Sequence, residues 1–308
     1  MEPASLEMGI IFLTQTGAGI LGNSSLLCLY SFTLLTGHNL RPTDLILNQL
    51  VLANNLVLFS RGIPQTMAAF GWKYFLDDAG CKVVFYFHRV ARGLSIITTC
   101  LLSGFQASNL CPSSSRWMVL RMRSLKCTGF CCSLCWILQL LVNAYIPVRV
   151  IGPRNTQNIS AKTIYGYCST LNSDRFKISL HAVMFSSIDV ICLGLMVLSS
   201  GTMVFVLLRH KNQVQHIHSN SLAPRPSHEA RATCTILILV SSFVFFYSLS
   251  SISGLFITLI VTPSQWLVNM SVFLASCFPT FSPFLLITTD TRISKLSFAF
   301  CVRKAFFT

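Results

Sequence analysis

Long apolar runs alternate with short polar segments along this chain. A helix needs about 20 mostly apolar residues to cross a membrane. Residues 9–35, 128–149, 180–208, 232–261 and 264–288 reach that length with few polar interruptions. Residues 44–70 and 81–107 have the length but carry Asn48, Gln49, Asn54, Asn55, Arg61 and Gln65 in the first, and His88, Arg89, Arg92 and Gln106 in the second. Lipid offers such groups no partner, so they predict faces turned towards neighbouring helices. The pattern predicts an all-α integral membrane protein, a bundle of seven transmembrane helices forming one domain over 1–308. No internal repeat or separate soluble domain is visible.

Composition supports this reading and excludes others. Hydrophobic residues make up 53% of the 308 positions and charged ones only 10%. Soluble domains carry about 25% charged residues, so a soluble enzyme is not expected. A disordered basic nucleic-acid binder is excluded by the same hydrophobicity. The net charge of +14 is then a question of topology. With the N-terminus placed outside, 13 of the 23 Lys and Arg fall in the inner segments 36–43, 108–127, 209–231 and 289–308, against 6 in the outer ones. Cationic loops stay cytosolic, which predicts an outside N-terminus and a cytosolic C-terminus. Trp72 and Trp266 fall at outer interfaces and Trp117 at an inner one, where Trp is enriched, whereas Trp136 falls mid-span and is expected between helices. Residues 1–8 carry Glu2 and Glu7 but no Lys or Arg. A signal peptide begins with a basic segment, so the first run is expected to remain as a span.

Several motifs resolve into packing. Gly17-Ala-Gly19-Ile-Leu-Gly22 matches a dinucleotide fingerprint, but that needs a preceding strand and a βαβ unit. Inside an apolar run, small residues instead allow close helix approach. Cys127, Cys131, Cys132 and Cys135 begin the fourth span and include a C-x-x-C. A structural zinc site needs four ligands in a closed set, and a face shared with lipid does not supply one. His210, His216, His218 and His228 lack matching partners and read as a solvated loop. No metal and no cofactor is expected. The chain has no H-E-x-x-H, no G-x-S-x-G and no paired membrane acids, so it is not read as an enzyme.

Cys81 and Cys168 stand apart from the other cysteines. Both fall on the outer side, where disulfides persist. A bridge between them is expected to pin the second outer loop over the bundle. Asn158-Ile-Ser160 in that loop is a glycosylation sequon. Asn23-Ser-Ser25 also fits but lies inside a span, and Asn269-Met-Ser271 sits against the membrane.

Ionisable groups inside spans are costly and mark function or pairing. His88, Arg89 and Arg92 lie two to three turns below Cys81, and Asp189 sits at similar depth in the fifth span. They can form a structural ion pair between the third and fifth helices, the polar floor of a ligand cavity, or both. Pro64, Pro147, Pro279 and Pro283 fall in or at the ends of spans. The last two make the seventh helix a candidate moving part, or simply shape it.

The motifs together resemble one family. Gly37-His-Asn-Leu-Arg-Pro-Thr-Asp-Leu-Ile-Leu47, Gly62-Ile-Pro-Gln-Thr-Met67, His88-Arg-Val-Ala-Arg-Gly93, Thr99-Cys-Leu-Leu-Ser103, Pro112-Ser-Ser-Ser-Arg-Trp117, Ser187-Ile-Asp189, Arg231-Ala-Thr233 and Cys277-Phe-Pro-Thr-Phe-Ser-Pro-Phe284 are similar to stretches of the vomeronasal type-1 receptors. The resemblance runs along nearly the whole chain. It implies a plasma-membrane G-protein-coupled receptor for pheromones or small odorants, with a bridge of the Cys81–Cys168 type, a sequon like Asn158 and an inhibitory-class heterotrimeric G protein as partner. The acidic-Arg-Tyr triplet and the Asn-Pro-x-x-Tyr motif of other seven-helix receptors are absent from the expected places.

The expected function is chemosensory. A small, fairly apolar ligand enters from outside, with His88, Arg89, Arg92 and Asp189 as candidate contacts. Arg116, Arg121, Arg123 and Lys126 are candidates to face the G protein, although orientation and attraction to anionic lipid account for basic residues there without a partner. The alternative is a small-solute transporter or channel. Transporters commonly show inverted repeats and broken helices at the midplane, and neither is evident here.

Overall fold

The structure is a computed structural model that describes residues 3–37, 41–72, 75–110, 124–152, 161–164, 167–171, 175–217, 228–259 and 264–289. Its helices are α1 (Pro3–Thr36), α2 (Pro42–Val57), α3 (Ile63–Ala69), α4 (Asp78–Leu110), α5 (Leu125–Val142), α6 (Ile146–Arg149), α7 (Arg175–Ile217), α8 (His228–Leu259) and α9 (Gln265–Thr289). Among the described residues, six helical stretches are long and apolar enough to cross a membrane, in α1, α4, α5–α6, α7, α8 and α9. One further rod, the second in chain order, is α2 and α3, joined end to end by a π-helical turn, Leu58–Gly62. Pro64 sits in the first turn of α3, where its missing N–H disturbs the ladder and a π-bulge absorbs the defect.

The fourth rod is also broken. Pro147 cannot donate to the Asn143 carbonyl, and the Ile146 N–H does so instead at 3.0 Å. The chain turns there and restarts as α6. The departure from an all-α fold is small: β1 (Val150–Ile151), β2 (Ala161–Ile164) and β3 (Cys168–Leu171) form an antiparallel sheet in the order β1-β3-β2. Val150 pairs with Thr170, and Ile164 with Cys168. The β-branched residues here suit a pleated strand, yet runs this short in a polar loop gave no strand signal. The sheet is fastened to the start of α4. The Gly152 N–H donates to Asp78 Oδ1 at 2.9 Å, and a side chain at Gly152 would strike the Asp78 backbone.

The bundle is apolar outside and mixed inside. Leu21, Phe32, Phe130, Leu141, Val190, Leu198 and Phe205 are exposed, as lipid-facing residues should be. The interior holds Leu50, Val51, Leu94, Leu102, Met196, Leu239, Val240 and Phe243 together with Asn23, Asn54, Ser95, Thr99 and Ser282, all fully or nearly fully buried. Gly19 and Gly22 set the approach of α1 to its neighbours. A methyl on Gly19 would collide with Leu58 and Thr280, and one on Gly22 with Pro283. The glycine motif therefore works as a packing surface.

That close approach has a purpose in α9. Pro279 and Pro283 both lie inside this helix. Pro283 has no N–H for the Pro279 carbonyl one turn earlier. Asn23 Nδ2 supplies the missing donor, at 2.7 Å from the Pro279 oxygen and 2.7 Å from the Gly19 oxygen. Beside it, Asn54 Nδ2 donates to Ser282 Oγ at 2.9 Å, and Ser95 Oγ donates to Asn54 Oδ1 at 3.1 Å. Four rods are thus tied through two asparagines. Replacing Asn23 with Ala leaves a buried carbonyl unpaired, at a cost of roughly 1–3 kcal/mol. The Asn23→Ala protein is expected to melt at lower temperature in detergent than the parent; an unchanged melting midpoint would count against this role.

Candidate ligand site

The disulfide end of the bundle comes first. Cys81 and Cys168 are bonded, with their Cα atoms 5.9 Å apart. Tyr167 is buried beside the bridge, with its ring 5.8 Å from Phe75 and 6.4 Å from Phe85. Val150, Leu76 and Ile146 complete this small apolar cluster. The loop sheet is therefore held to α4 by a covalent bond, the Asp78–Gly152 hydrogen bond and aromatic packing. Lys82 pairs with Asp78 at 2.6 Å, steadying the acceptor.

Below the bridge, α4 turns its polar side chains into the bundle. By helical rise, His88 lies about 10 Å and Arg92 about 16 Å along the axis from Cys81. Arg92 is clamped between helices. Its Nε donates to the Tyr247 hydroxyl at 3.1 Å and its Nη2 to Ser251 Oγ at 3.0 Å. Its guanidinium also lies 4.6 Å from the Tyr247 ring centre, a cation–π contact. Tyr247 in turn donates to Asp189 Oδ2 at 2.6 Å, while Arg92 Nη2 stands 3.9 Å from the same oxygen. The third, fifth and sixth rods (α4, α7 and α8) meet in this chain, and the tyrosine hydroxyl bridges the ion pair.

His88 faces the second rod. Arg61, buried within the π turn, brings Nη1 to 3.3 Å from His88 Nε2. Arginine can only donate, so Nε2 accepts and Nδ1 carries the proton. His88 Nδ1 is buried and has no hydrogen-bond partner among the described residues.

Between these groups lies a cavity of about 40 Å³. His88, Arg92 and Ser95 of α4 line one wall, and Phe243, Phe246 and Tyr247 of α8 another; Phe278 and Pro279 of α9 close it. At roughly 10–15 Å³ per water, its volume is that of about three water molecules. The surface facing the space is almost entirely apolar and largely aromatic, with a few polar residues along one side, the composition of a small-molecule pocket.

Of the four ligand candidates, His88 and Arg92 line this cavity. Asp189 stands behind Tyr247, and half-buried Arg89 is not among the lining residues. Tyr247 and Ser251 are not singled out by the sequence, whereas Arg61 is marked there as a charge within the membrane that points toward a site. A tyrosine in an apolar run needs a partner for its hydroxyl, and that was the available signal. Asn158, Arg116, Arg121 and Arg123 lie outside the described residues. Lys126 is exposed in the first turn of α5.

Comparison with known proteins decides the lineage. Residues 6–299 match the vomeronasal organ pheromone receptor family. The chain belongs to that family. It is 58% identical over 307 residues to vomeronasal type-1 receptor 1 of Homo sapiens, covering 100% of this chain and 87% of the relative. The Gorilla gorilla gorilla receptor of the same name is equally similar, 58% over 307 residues, with 100% and 87% covered. Vomeronasal type-1 receptor 3 of Homo sapiens is 47% identical over 304 residues, covering 98% and 97%. Relatives of this family are seven-transmembrane receptors, and this chain is a multi-pass membrane protein with the same architecture. The relatives' names are those of receptors, consistent with a non-enzymatic protein.

The Tyr247 bridge makes a direct test. Tyr247→Phe keeps the ring over Arg92 but removes the hydroxyl that serves both Arg92 and Asp189. Loss of a buried hydrogen bond with its partners left behind costs about 1–3 kcal/mol. The variant is expected to melt at lower temperature, with a smaller effect in an Asp189→Asn background; equal effects in both backgrounds would rule out coupling through the hydroxyl.

Proposed function

We propose that this protein is a chemosensory G-protein-coupled receptor that takes a small, fairly apolar ligand into the cavity between α4, α8 and α9. The observation that carries the reading is the cavity itself, a largely aromatic, apolar space with His88 and Arg92 along one side. The bundle presents its disulfide end and N-terminus outside the plasma membrane and its C-terminus to the cytosol. The uneven distribution of Lys and Arg supports that orientation, as does the bridge, which belongs in an oxidising space. The loop sequon at Asn158 carries a glycan on the same side.

His88 offers Nδ1–H to an acceptor on the ligand. Arg92 offers its charge and the face of its guanidinium, and Asp189 acts by holding Tyr247 and Arg92 in place. Arg89 contributes to the cationic character of the same stretch of α4. The present cavity is too small for an odorant-sized molecule, so binding requires Phe246, Phe278 or the helices carrying them to move. A ligand shifts a receptor only by its differential affinity for the two arrangements. The inner ends of α7 and α8 then open to a heterotrimeric G protein of the inhibitory class. Arg116, Arg121, Arg123 and Lys126 face that partner or the anionic lipid beside it.

The test is nucleotide exchange on co-expressed G proteins with a panel of volatile and weakly polar compounds. An active compound is expected to lose its effect on Arg92→Ala and to weaken on Asp189→Asn at unchanged surface expression. Solute flux or current without nucleotide exchange would instead establish a transporter or channel.

A further inference from the structure

We propose that Cys127 is a site of reversible S-acylation, its thioester-linked chain seated in the cleft between α2, α4 and α5. The proposal rests on the orientation argued above, with the disulfide end outside.

Position is the first support. Cys127 lies in the first turn of α5, half-buried, directly after exposed Lys126. The far end of α5 leads through α6 and β1 to the sheet that holds Cys168. Cys127 is therefore at the end of its rod away from the disulfide. If the bridge is outside, this thiol is at the cytosolic boundary, where thiols stay reduced and acyl donors are present. A thiol beside a cation at the membrane edge has the setting of an acylated juxtamembrane cysteine.

The cleft is the second, independent support. Ile46 of α2, Leu101 and Phe105 of α4, and Cys127, Thr128, Cys131 and Cys132 of α5 line a space of about 30 Å³. Its walls are apolar, and Cys127 stands at its outermost helical turn. Cys131 is one turn deeper, about 6 Å along the axis, and Cys132 is buried. A water-borne donor meets Cys127 first. The small cleft seats the proximal part of a saturated chain, and the remainder runs into lipid. Lys126 attracts the phosphates of the donor and of anionic headgroups.

The reaction balances without any oxidant. The Cys127 Sγ attacks the carbonyl carbon of a long-chain acyl-coenzyme A. The new carbon–sulfur bond forms as the bond to coenzyme A breaks, and coenzyme A leaves with the proton that Cys127 loses. One thioester replaces another.

The test uses the full chain in cells fed an alkyne analogue of palmitate, with hydroxylamine-sensitive label read after purification. Cys111 and Cys301 also fall in inner segments of the sequence, so the background carries Cys111→Ser and Cys301→Ser. Label is expected in that background, retained in Cys132→Ser and lost in Cys127→Ser. Cys127→Ala serves as a second variant, and surface arrival is monitored for each. Label that persists without Cys127, or is absent with it present, overturns the proposal. Antibody access to an N-terminal tag on intact cells separates the causes. With the tag outside, the acylation site alone is wrong; with the tag inside, the orientation and the site fall together.

Discussion

The fold turns on how a helix with two prolines survives in a solvent that supplies no hydrogen bonds. In lipid, every freed backbone group has to be satisfied by protein. Pro283 leaves the Pro279 carbonyl without its helical donor, and Asn23 answers it from α1 at 2.7 Å. For Asn23 to reach, α1 and α9 have to lie close, and Gly19 and Gly22 permit it because no side chain fits there. The glycines, the asparagine and the prolines form one device. Asn54, Ser95 and Ser282 extend it to the second and third rods, so the proline-containing part of α9 is tied to three other rods.

The opposite requirement holds at the loop end. There the chain leaves the membrane and has no long helices to order it. A disulfide, a three-stranded sheet and the Tyr167 cluster replace bundle packing. Asp78 joins the two regimes: it lies in the first turn of α4 and accepts from Gly152 of the loop. The depth of His88 and Arg92 below this cap follows from the helical rise alone, so fastening the cap also fixes where the cavity begins.

Much of this was legible in sequence because membranes impose simple rules. Apolar length predicted the helices, and the polar residues of 44–70 and 81–107 correctly implied an interior role, seen in Asn54, Arg61, His88 and Arg92. Sidedness singled out Cys81 and Cys168 from thirteen cysteines. What escaped depended on which helix lies beside which. Tyr247 and Ser251 are uncharged groups in an apolar run, and only packing brings them to Arg92. Asn23 drew notice as an unusable sequon, when its position one helix away from a proline-freed carbonyl was the informative fact. The π turn and the short strands lack any periodicity long enough to read.

The cavity and the proline-containing segment of α9 share a residue. Pro279 closes the cavity wall, and its carbonyl is the group that Asn23 holds. Phe278, next to it, stacks edge-on against Phe243 of α8 at 4.6 Å, and Phe243 in turn stacks on Tyr247 at 5.2 Å. A continuous set of contacts therefore runs from the Arg92–Asp189 ion pair through three aromatic rings to Pro279. Contiguity alone does not make a switch; a physical coupling needs an element with two arrangements that both ends bias. The proline-containing segment of α9 is the natural place to look for such an element, because its ladder is interrupted at Pro283 and its missing donor comes from outside the helix. A ligand that enlarges the cavity by displacing Phe278 acts directly on the segment whose Pro279 carbonyl Asn23 holds.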